Sequence, residues 1–298
     1  MKTHRDSYPV TVMARVLMVT RSGFYAWLCR GMTNREQEDD RLKPLIQKAH
    51  KHSRGTYGAL RIKAELDSQN IRVGLEHIRR LRKELRLECR QRRKFKATTT
   101  SQHDLPVAPN LLDQQFASVE PGKVWGTDIT YIATDEGWLY LAGVKDFCSK
   151  EIVGFAMGER MTKELVIEAL EKALRFRKPR SGCIHHSDRG SQYCSHEYRR
   201  LLKASGLAAS MSRKGNCYDN APTESFWGCL KQECVYQCRF ATRSEAKAAI
   251  QEYIAIFYNR IRRHSALGNI SPSIFAESFL ITRKSALFVL STIDSTGQ

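Results

Sequence analysis

Three acidic side chains occupy positions where a carboxylate is costly unless its charge is compensated. Asp128 interrupts a stretch of otherwise apolar or hydroxyl-bearing residues, and Asp188 directly follows a second apolar stretch. Glu224 comes early in a helical segment, after the turn-rich residues 212–222. An ionised carboxylate in or beside a core strand is strongly unfavourable unless it pairs with a cation or binds a metal ion.

A metal ion is the compensation that the spacing favours. Asp188 is followed by Arg189, but neighbouring side chains on extended backbone point to opposite sides. Ligand sets made only of carboxylate oxygens select Mg²⁺ or Mn²⁺ rather than zinc. Two such ions ~3.5–4 Å apart stabilise the attacking and the leaving oxygen in a phosphoryl transfer. The residues alone leave open that these are separate surface or capping carboxylates.

The net charge of the chain indicates a polyanionic partner. The 298 residues include 49 Lys and Arg against 31 Asp and Glu, which gives a formal charge of +18 and a pI of about 9.7. Such basicity is typical of nucleic-acid-binding proteins. The positive charge is concentrated in residues 72–96, where eleven Lys and Arg stand against three Glu. The composition, 42% hydrophobic and 27% charged, excludes a wholly disordered or fibrous chain.

The N-terminal residues predict two small helical units. Apolar residues at helical spacing within 12–17 and 24–28 flank a turn, and a clearer pair of helices is predicted at 60–66 and 75–85. Two short helices joined by a tight turn, the second of them basic, are typical of a helix-turn-helix. The alternative is a helical hairpin with a solvated basic face. The residues predicted to contact DNA are Arg79, Arg82, Lys83 and Arg86.

From residue 121 the pattern changes to runs of β-branched and aromatic residues. A meander of three strands followed by alternating helices and strands predicts an α/β fold with a mixed sheet and flanking helices. The predicted elements are strands at 124–132, 138–144 and 151–157, a helix at 162–176, a strand at 183–186, a helix at 197–204 and a strand at 207–211.

Changes in composition divide the chain into five parts. Residues 94–110 are rich in Thr, Ser and Pro without an apolar period, which is typical of a linker. Thr242 and Glu245 predict a capping box before a helical apolar stripe. The predicted parts are a basic helix-turn-helix-like region at 1–96, a linker at 97–120, a catalytic core at 121–235, a helical C-terminal part at 236–280 and an uninterpreted tail at 281–298.

The motifs around the acids resemble those of one enzyme superfamily. Residues 125–131 surround Asp128, residues 186–193 surround Asp188, and 35 residues separate Asp188 from Glu224. From about residue 10 to about residue 280 the chain resembles the retroviral-integrase superfamily, and more closely the B-frame product of insertion-sequence-three family transposases. Further matching pieces are Tyr218-Asp219-Asn220-Ala221, Glu224-Ser225-Phe226-Trp227, Leu230-Lys231, Tyr258-Asn259-Arg260 and Arg263-His264.

This resemblance implies a ribonuclease-H-like catalytic core that cuts and joins DNA. The resemblance implies that Asp128, Asp188 and Glu224 hold two divalent metal ions, Mg²⁺ or Mn²⁺. The same three residues are the implied catalytic residues. Water would cut one strand at the element's end, and the freed 3′-hydroxyl would attack another phosphodiester. The implied partners are DNA at the element ends and at the target, further copies of the chain on that DNA, and an upstream A-frame product or frameshift fusion.

Lys231 is predicted to hold DNA near the acids. It follows Glu224 by seven residues, and seven helical steps of ~100° return to within about 20° of the starting direction, so the two side chains share a face. The resemblance implies that the matching lysine engages a phosphate or base at the element's end. The alternative is a solvated helix lysine.

Other polar and aromatic residues near the acids are predicted to be structural. Asp146 is interpreted as a turn residue rather than a metal ligand, and of His185 and His186 one is expected in the core and the other near the site, neither as a catalyst. Core or interface positions are favoured over base stacking for three tryptophans, Trp125, Trp138 and Trp227.

Two alternatives to a transposase remain at this point. A metal-dependent nuclease would cleave without joining, and a DNA-binding regulator would have an inactive core.

The nine cysteines contain no Cys-x-x-Cys pair and the N-terminus has no secretory signal, so reduced thiols in a bacterial cytosol are expected.

Overall fold

The computed structural model describes residues 1–89, 106–116, 118, 120–213 and 217–281. Residues 97–105, 117 and 119 of the predicted linker at 97–120 lie outside the described residues, as do all but the first residue of the predicted tail at 281–298. Among the described residues, no helix has the length and apolar character needed to cross a membrane.

The N-terminal region is helical, as predicted, but it contains one helix more than the sequence pattern indicates. The unpredicted helix, α3, buries Leu42 and Ile46 within a strongly charged segment that also includes Pro44. Its apolar period is therefore diluted by the charged residues around it. The described helices before the sheet are α1 (Val10–Val16), α2 (Arg21–Cys29), α3 (Asn34–His52), α4 (Ala59–Asp67) and α5 (Leu75–Glu84).

Helices α3, α4 and α5 share one small core and one buried ion pair. Ile62 of α4 and Ile78 of α5 pack with the apolar residues of α3. Asp39 of α3 accepts hydrogen bonds at 2.7 and 2.8 Å from Nη2 of Arg80 on α5, and His77 lies 2.5 Å from the same carboxylate. These bonds from Arg80 and His77 lower the pKa of Asp39 to about 2. The acid therefore fixes the helix-turn-helix pair α4–α5 against α3.

The second region is a five-stranded mixed sheet, which confirms the predicted fold class. Its strand order is β3-β2-β1-β4-β5. The first three strands form an antiparallel meander, and β4 and β5 run parallel to β1. This order and direction are those of a ribonuclease-H-like sheet. The strands are β1 (Val124–Thr134), β2 (Gly137–Asp146), β3 (Ile152–Gly158), β4 (Ile184–Ser187) and β5 (Ala208–Met211).

Helices cover both faces of the sheet. One face packs on α6 (Lys163–Phe176), α7 (Ser191–Cys194) and α8 (His196–Ala204), and the other on α9 (Ala221–Glu233) and α10 (Arg243–Glu252). Close approach of α6 depends on Gly154, because a Cβ there would lie 2.4 Å from the carbonyl oxygen of Ala169.

The C-terminal helices connect the sheet to the N-terminal region. Helix α10 continues through a wider helical stretch, Tyr253–Ile261, and a last helix, α11, spans residues 272–281. The hydroxyl of Tyr57 accepts a 2.7 Å hydrogen bond from the backbone N–H of Arg263, whose guanidinium also pairs with Glu65 at 2.7 Å. The N-terminal helical unit is thus bonded directly to the segment that follows α10.

The predicted capping box at the start of α10 is only half formed. The hydroxyl of Thr242 accepts from the N–H of Glu245 at 3.1 Å, as such a box requires. The carboxylate of Glu245, however, accepts from the N–H of Ala241 at 2.9 Å. The returning bond therefore reaches one residue before the helix cap.

Candidate active site

Asp128 lies in the middle of β1, where that strand has a neighbour on one side only. Within the described chain, β4 pairs with Val124–Gly126 and β1 continues alone on that side. The carboxylate of Asp128 accepts a hydrogen bond from the N–H of Ile129 at 2.8 Å and another from Nε1 of Trp227 at 3.1 Å. These two donors hold the acid at the open edge of the sheet.

The parallel register of β1 and β4 brings Asp188 beside Asp128. Gly126 pairs with His186, and each acid stands two residues beyond that pair. Asp188 accepts a 2.8 Å hydrogen bond from the N–H of Gly190, so a tight turn after β4 fixes its carboxylate. Two acids that are 60 positions apart in sequence are thereby placed at the same level of the sheet.

Glu224 reaches the same place because α9 packs closely on the sheet. A Cβ on Gly126 would lie 2.7 Å from Oγ1 of Thr223, and a Cβ on Gly143 would lie 2.8 Å from the ring of Trp227. Two glycines on neighbouring strands therefore make room for α9. Glu224 lies in its first turn, exposed, and Trp227 follows one helical turn later.

The charges of the three acids act on one another. Burial and, after it, the negative charges of Asp188 and Glu224 together raise the pKa of Asp128 to about 8. Desolvation also raises the pKa of Glu224. The pKa of Tyr193 is raised well above its usual value by burial and by Asp128 and Asp188. The negative charges of Asp188 and Glu224 therefore act on Asp128, and a bound cation would offset them.

The donor set fits a hard divalent cation. All three acids offer oxygen, and the mutual repulsion at Asp128 is what a bound Mg²⁺ or Mn²⁺ would relieve. As placed, no group of three His, Cys, Asp or Glu side chains within the described parts of the chain is arranged to hold an ion. Glu224 is the exposed member of the three, whereas Asp128 and Asp188 are half-buried.

Lys231 lies on α9 with Glu224, and it faces the site. Burial lowers the pKa of Lys231, and the charge of Asp128 acts in the opposite direction, so the two groups are neighbours. Its Nζ atom lies 5.0 Å from the centroid of the Tyr131 ring. The lysine therefore contacts an aromatic ring beside the acids and is half-buried rather than freely solvated.

The four basic residues of the helix-turn-helix differ in their exposure. Arg79 and Lys83 are exposed one helical turn apart on α5, and Arg86 is exposed in the turn after that helix. Arg82 is half-buried and donates to the carbonyl of Leu87 at 3.1 Å. Three of the four side chains thus form one basic surface, and Arg82 closes the turn after α5.

Asp146, His185 and His186, which were predicted to be structural, are all buried and hydrogen-bonded. Asp146 is buried and accepts hydrogen bonds from the N–H groups of Gly122 and Ser149, which confirms its turn role. His185 and His186 are both buried: the first bonds the hydroxyl of Tyr198 at 2.6 Å and the second that of Ser210 at 2.9 Å. That one of them lies near the acids stays a prediction.

The three tryptophans differ in their burial. Trp125 and Trp227 are buried, as predicted, whereas Trp138 is half exposed and lies outside the core. The prediction of a buried Trp227 missed its second contact, the hydrogen bond to Asp128. Trp227 follows Glu224 by three residues and therefore shares a helix face with it, and this spacing is the sequence signal from which the contact could have been found.

The order of the sheet, with Asp128 and Asp188 at the same level of it, agrees with an integrase-type DNA-processing enzyme. Comparison with protein families matches an HTH-like domain at residues 37–95 and integrase core domains at residues 118–217 and 224–280. An uncharacterized 31 kDa protein of insertion element IS600 from Shigella sonnei is 59% identical over 267 residues, which cover 90% of this chain and 98% of that protein.

A second relative identifies the family. The transposase InsF for insertion sequence IS3A of Escherichia coli (strain K12) is 41% identical over 274 residues, covering 91% of this chain and 95% of the relative. The chain belongs to the insertion-sequence-three (IS3) family of transposases. Among solved structures, the HTLV-2 integrase catalytic core domain in complex with magnesium (trimeric form) is 13% identical with a TM-score of 0.43, covering 54% of this chain and 99% of that one.

Proposed function

We propose that Asp128, Asp188 and Glu224 are the catalytic and metal-binding residues with which this transposase cuts and joins DNA strands. The observation that carries the proposal is the strand register, which places Asp128 and Asp188 each two residues beyond the Gly126–His186 pair. Burial and the charges of Asp188 and Glu224 raise the pKa of Asp128, in agreement with this placement. Perturbed carboxylates gathered at one edge of a sheet are typical of active sites. Mg²⁺ or Mn²⁺ bound by their oxygens, two ions by expectation, supplies Lewis-acid stabilisation of the charge that develops in phosphoryl transfer.

The residues of the chain position the reaction. Ile129 and Trp227 hold the Asp128 carboxylate through their N–H groups, and Gly190 holds that of Asp188. In the first step, the oxygen of water forms a bond to phosphorus and the 3′-oxygen leaves as a hydroxyl. In the second step, that 3′-hydroxyl attacks another phosphodiester, and one new phosphodiester replaces the one broken. Neither step needs a covalent intermediate on the protein.

Two further surfaces are assigned to DNA. The exposed side chains of Arg79, Lys83 and Arg86 neutralise backbone phosphates, which position DNA without reading its sequence. Lys231 engages the terminal nucleotides beside the acids. Residues 1–96 then form a basic, helix-turn-helix-like DNA-binding region, 121–235 the catalytic core and 236–280 its helical extension. Further copies of the chain and an A-frame product are the proposed protein partners.

The first test removes each acid in turn. In the full chain, Asp128→Asn, Asp188→Asn and Glu224→Gln should each abolish Mg²⁺-dependent cleavage of a labelled duplex that carries the element's end. DNA affinity should stay within about threefold of the parent, because phosphate contacts supply most of it. Glu168→Gln, an exposed acid of α6 paired with Lys172, is the matched control. Cleavage at the parental rate in any triad variant removes that residue from the site.

A further inference from the structure

Two aromatic side chains of the central sheet are exposed beside the acidic site. Tyr131 of β1 is 38% exposed and Trp138 of β2 is 50% exposed. The antiparallel register pairs Tyr131 with Tyr140 and Ala133 with Trp138, so the two exposed rings stand on the same face of the sheet. Their centroids are 4.9 Å apart with an interplanar angle of 84°, an edge-to-face pair.

This aromatic pair is held on rigid backbone. Tyr131 lies within the β1–β2 ladder, and the carbonyl of Trp138 accepts a 3.1 Å hydrogen bond from Nε of Arg243. Arg243 belongs to α10, so the end of the hairpin is bonded to a helix on the other face of the sheet. The rings are thus fixed in position while much of their surface faces solvent. Such a surface is suited to stacking a flat ligand.

Lys231 connects the aromatic pair to the acids. Its ammonium lies 5.0 Å from the centroid of Tyr131 and also interacts with the charge of Asp128. Asp128 and Tyr131 stand at positions of opposite parity, on opposite faces of β1. Lys231 therefore reaches around the edge of β1 that β4 leaves unpaired beyond Gly126 within the described chain. The same edge gives DNA a path from the acids to the rings.

The distance fits a few nucleotides. Tyr131 follows Asp128 by three residues, which is about 10 Å of strand at ~3.3 Å per residue. Successive bases of one DNA strand are separated by about 3.4 Å along the helix axis. A strand with its scissile phosphate at the acids can thus present a base within about three positions of the cut to the rings.

We propose that Tyr131 and Trp138, together with Lys231, form a subsite that stacks an unpaired base at the DNA end; this inference rests on the proposed function of the acids. The exposed indole of Trp138 offers a π-face, which stacks with every base and so tolerates any sequence. Lys231 exchanges its contact with the Tyr131 ring for a phosphate, which uncovers that ring for the neighbouring nucleotide. The aromatic pair thereby holds the end of the duplex open beside the acids.

The test compares unpaired with paired DNA ends. The probes are a duplex that ends in two unpaired nucleotides, one of them 2-aminopurine, and a fully paired duplex of equal length, both in Ca²⁺. In the parent, the fluorescence of 2-aminopurine should be quenched. Trp138→Leu should abolish the quenching and weaken binding of the unpaired end about 5- to 100-fold, since stacking contributes ~1–3 kcal/mol per base. Binding of the paired duplex should not change.

Three further variants make the outcome decisive. Trp138→Phe and Tyr131→Phe keep an aromatic face and should retain most of the quenching. Retained quenching in Trp138→Phe also shows that the loss in Trp138→Leu comes from the missing ring and not from a folding defect. Phe176→Leu removes a ring that is 54% exposed on α6 and should behave as the parent. The proposal is overturned if Trp138→Leu binds both duplexes as the parent does, or weakens both equally. Cleavage of the same DNA in Mg²⁺ by the parent is a separate readout: its absence refutes the function of the acids, whereas the quenching alone decides the stacking.

Discussion

A methyl group added at Gly143 should disable the active site, because it would displace Trp227, whose side chain binds Asp128. The Cβ of Gly143→Ala would lie 2.8 Å from Cη2 of Trp227 and 3.4 Å from Cζ2, where 3.4–4 Å is ordinary contact. Overpacking of this kind costs about 1–3 kcal/mol of folding free energy. The indole must move to relieve the overlap, and its 3.1 Å hydrogen bond to Asp128 is then lengthened or broken. Disturbing such an orienting contact lowers metal affinity or activity ~10–100-fold.

The assay combines urea denaturation with Mg²⁺-dependent strand cleavage. Gly143→Ala should lose both stability and cleavage, whereas the double variant Gly143→Ala/Trp227→Leu should regain part of the stability and none of the cleavage, because leucine lacks the N–H donor. The matched control is Gly228→Ala, one residue after Trp227, where a Cβ meets nothing within 4 Å. It should gain about 1 kcal/mol from helix propensity. The reasoning is refuted if Gly143→Ala is as stable and as active as the parent.

Two further predictions concern the N-terminal helical unit. Asp39→Asn should lower the free energy of unfolding at pH 7 by about 1.5–3 kcal/mol through loss of charged hydrogen bonds. Because the pKa of Asp39 is about 2 in the folded chain, below its unfolded value, the parent keeps this contribution above pH ~4 and loses it as the pH falls toward 2. Denaturation curves of the two proteins should therefore converge in acid, and equal stability at pH 7 would contradict the ion pair. Arg79→Ala, Lys83→Ala and Arg86→Ala should each reduce the slope of log K against log salt by ~0.9 in a DNA-binding titration, whereas Arg82→Ala should lower stability and leave the slope unchanged; a smaller slope for Arg82→Ala alone would reverse this assignment.

The sheet was predictable because each strand carries its own signal. The strand around Asp128 and the apolar run before Asp188 are rich in β-branched or apolar residues, and their order along the chain defined the mixed sheet. Helix α3 was not predicted, because its buried positions Leu42 and Ile46 follow a strongly charged run at residues 35–41 and have Pro44 between them. Its stability comes from packing on α4 and α5, which a local pattern does not contain.

The acids of the site were predictable in type and the contacts around them were not. A carboxylate in an apolar strand is visible in one sequence, since its burial needs an explanation. The bond from Trp227 to Asp128 depends on the close approach of α9 at Gly143, a contact between residues 84 positions apart. Whether Trp138 belongs to the core or to an interface depends likewise on which helices cover its face of the sheet, and a strand pattern does not contain that information.

Joining, as distinct from cutting, is the central claim, and one strand-transfer experiment tests it most directly. A labelled duplex that carries the element's own end with a free 3′-hydroxyl is incubated with an unlabelled supercoiled plasmid, the full chain and Mg²⁺. The parent is expected to transfer the label covalently into the plasmid, and Glu224→Gln is expected to transfer none. If the parent cuts or nicks DNA in Mg²⁺ but leaves the plasmid unlabelled, the acids serve a nuclease and the account of strand transfer is contradicted.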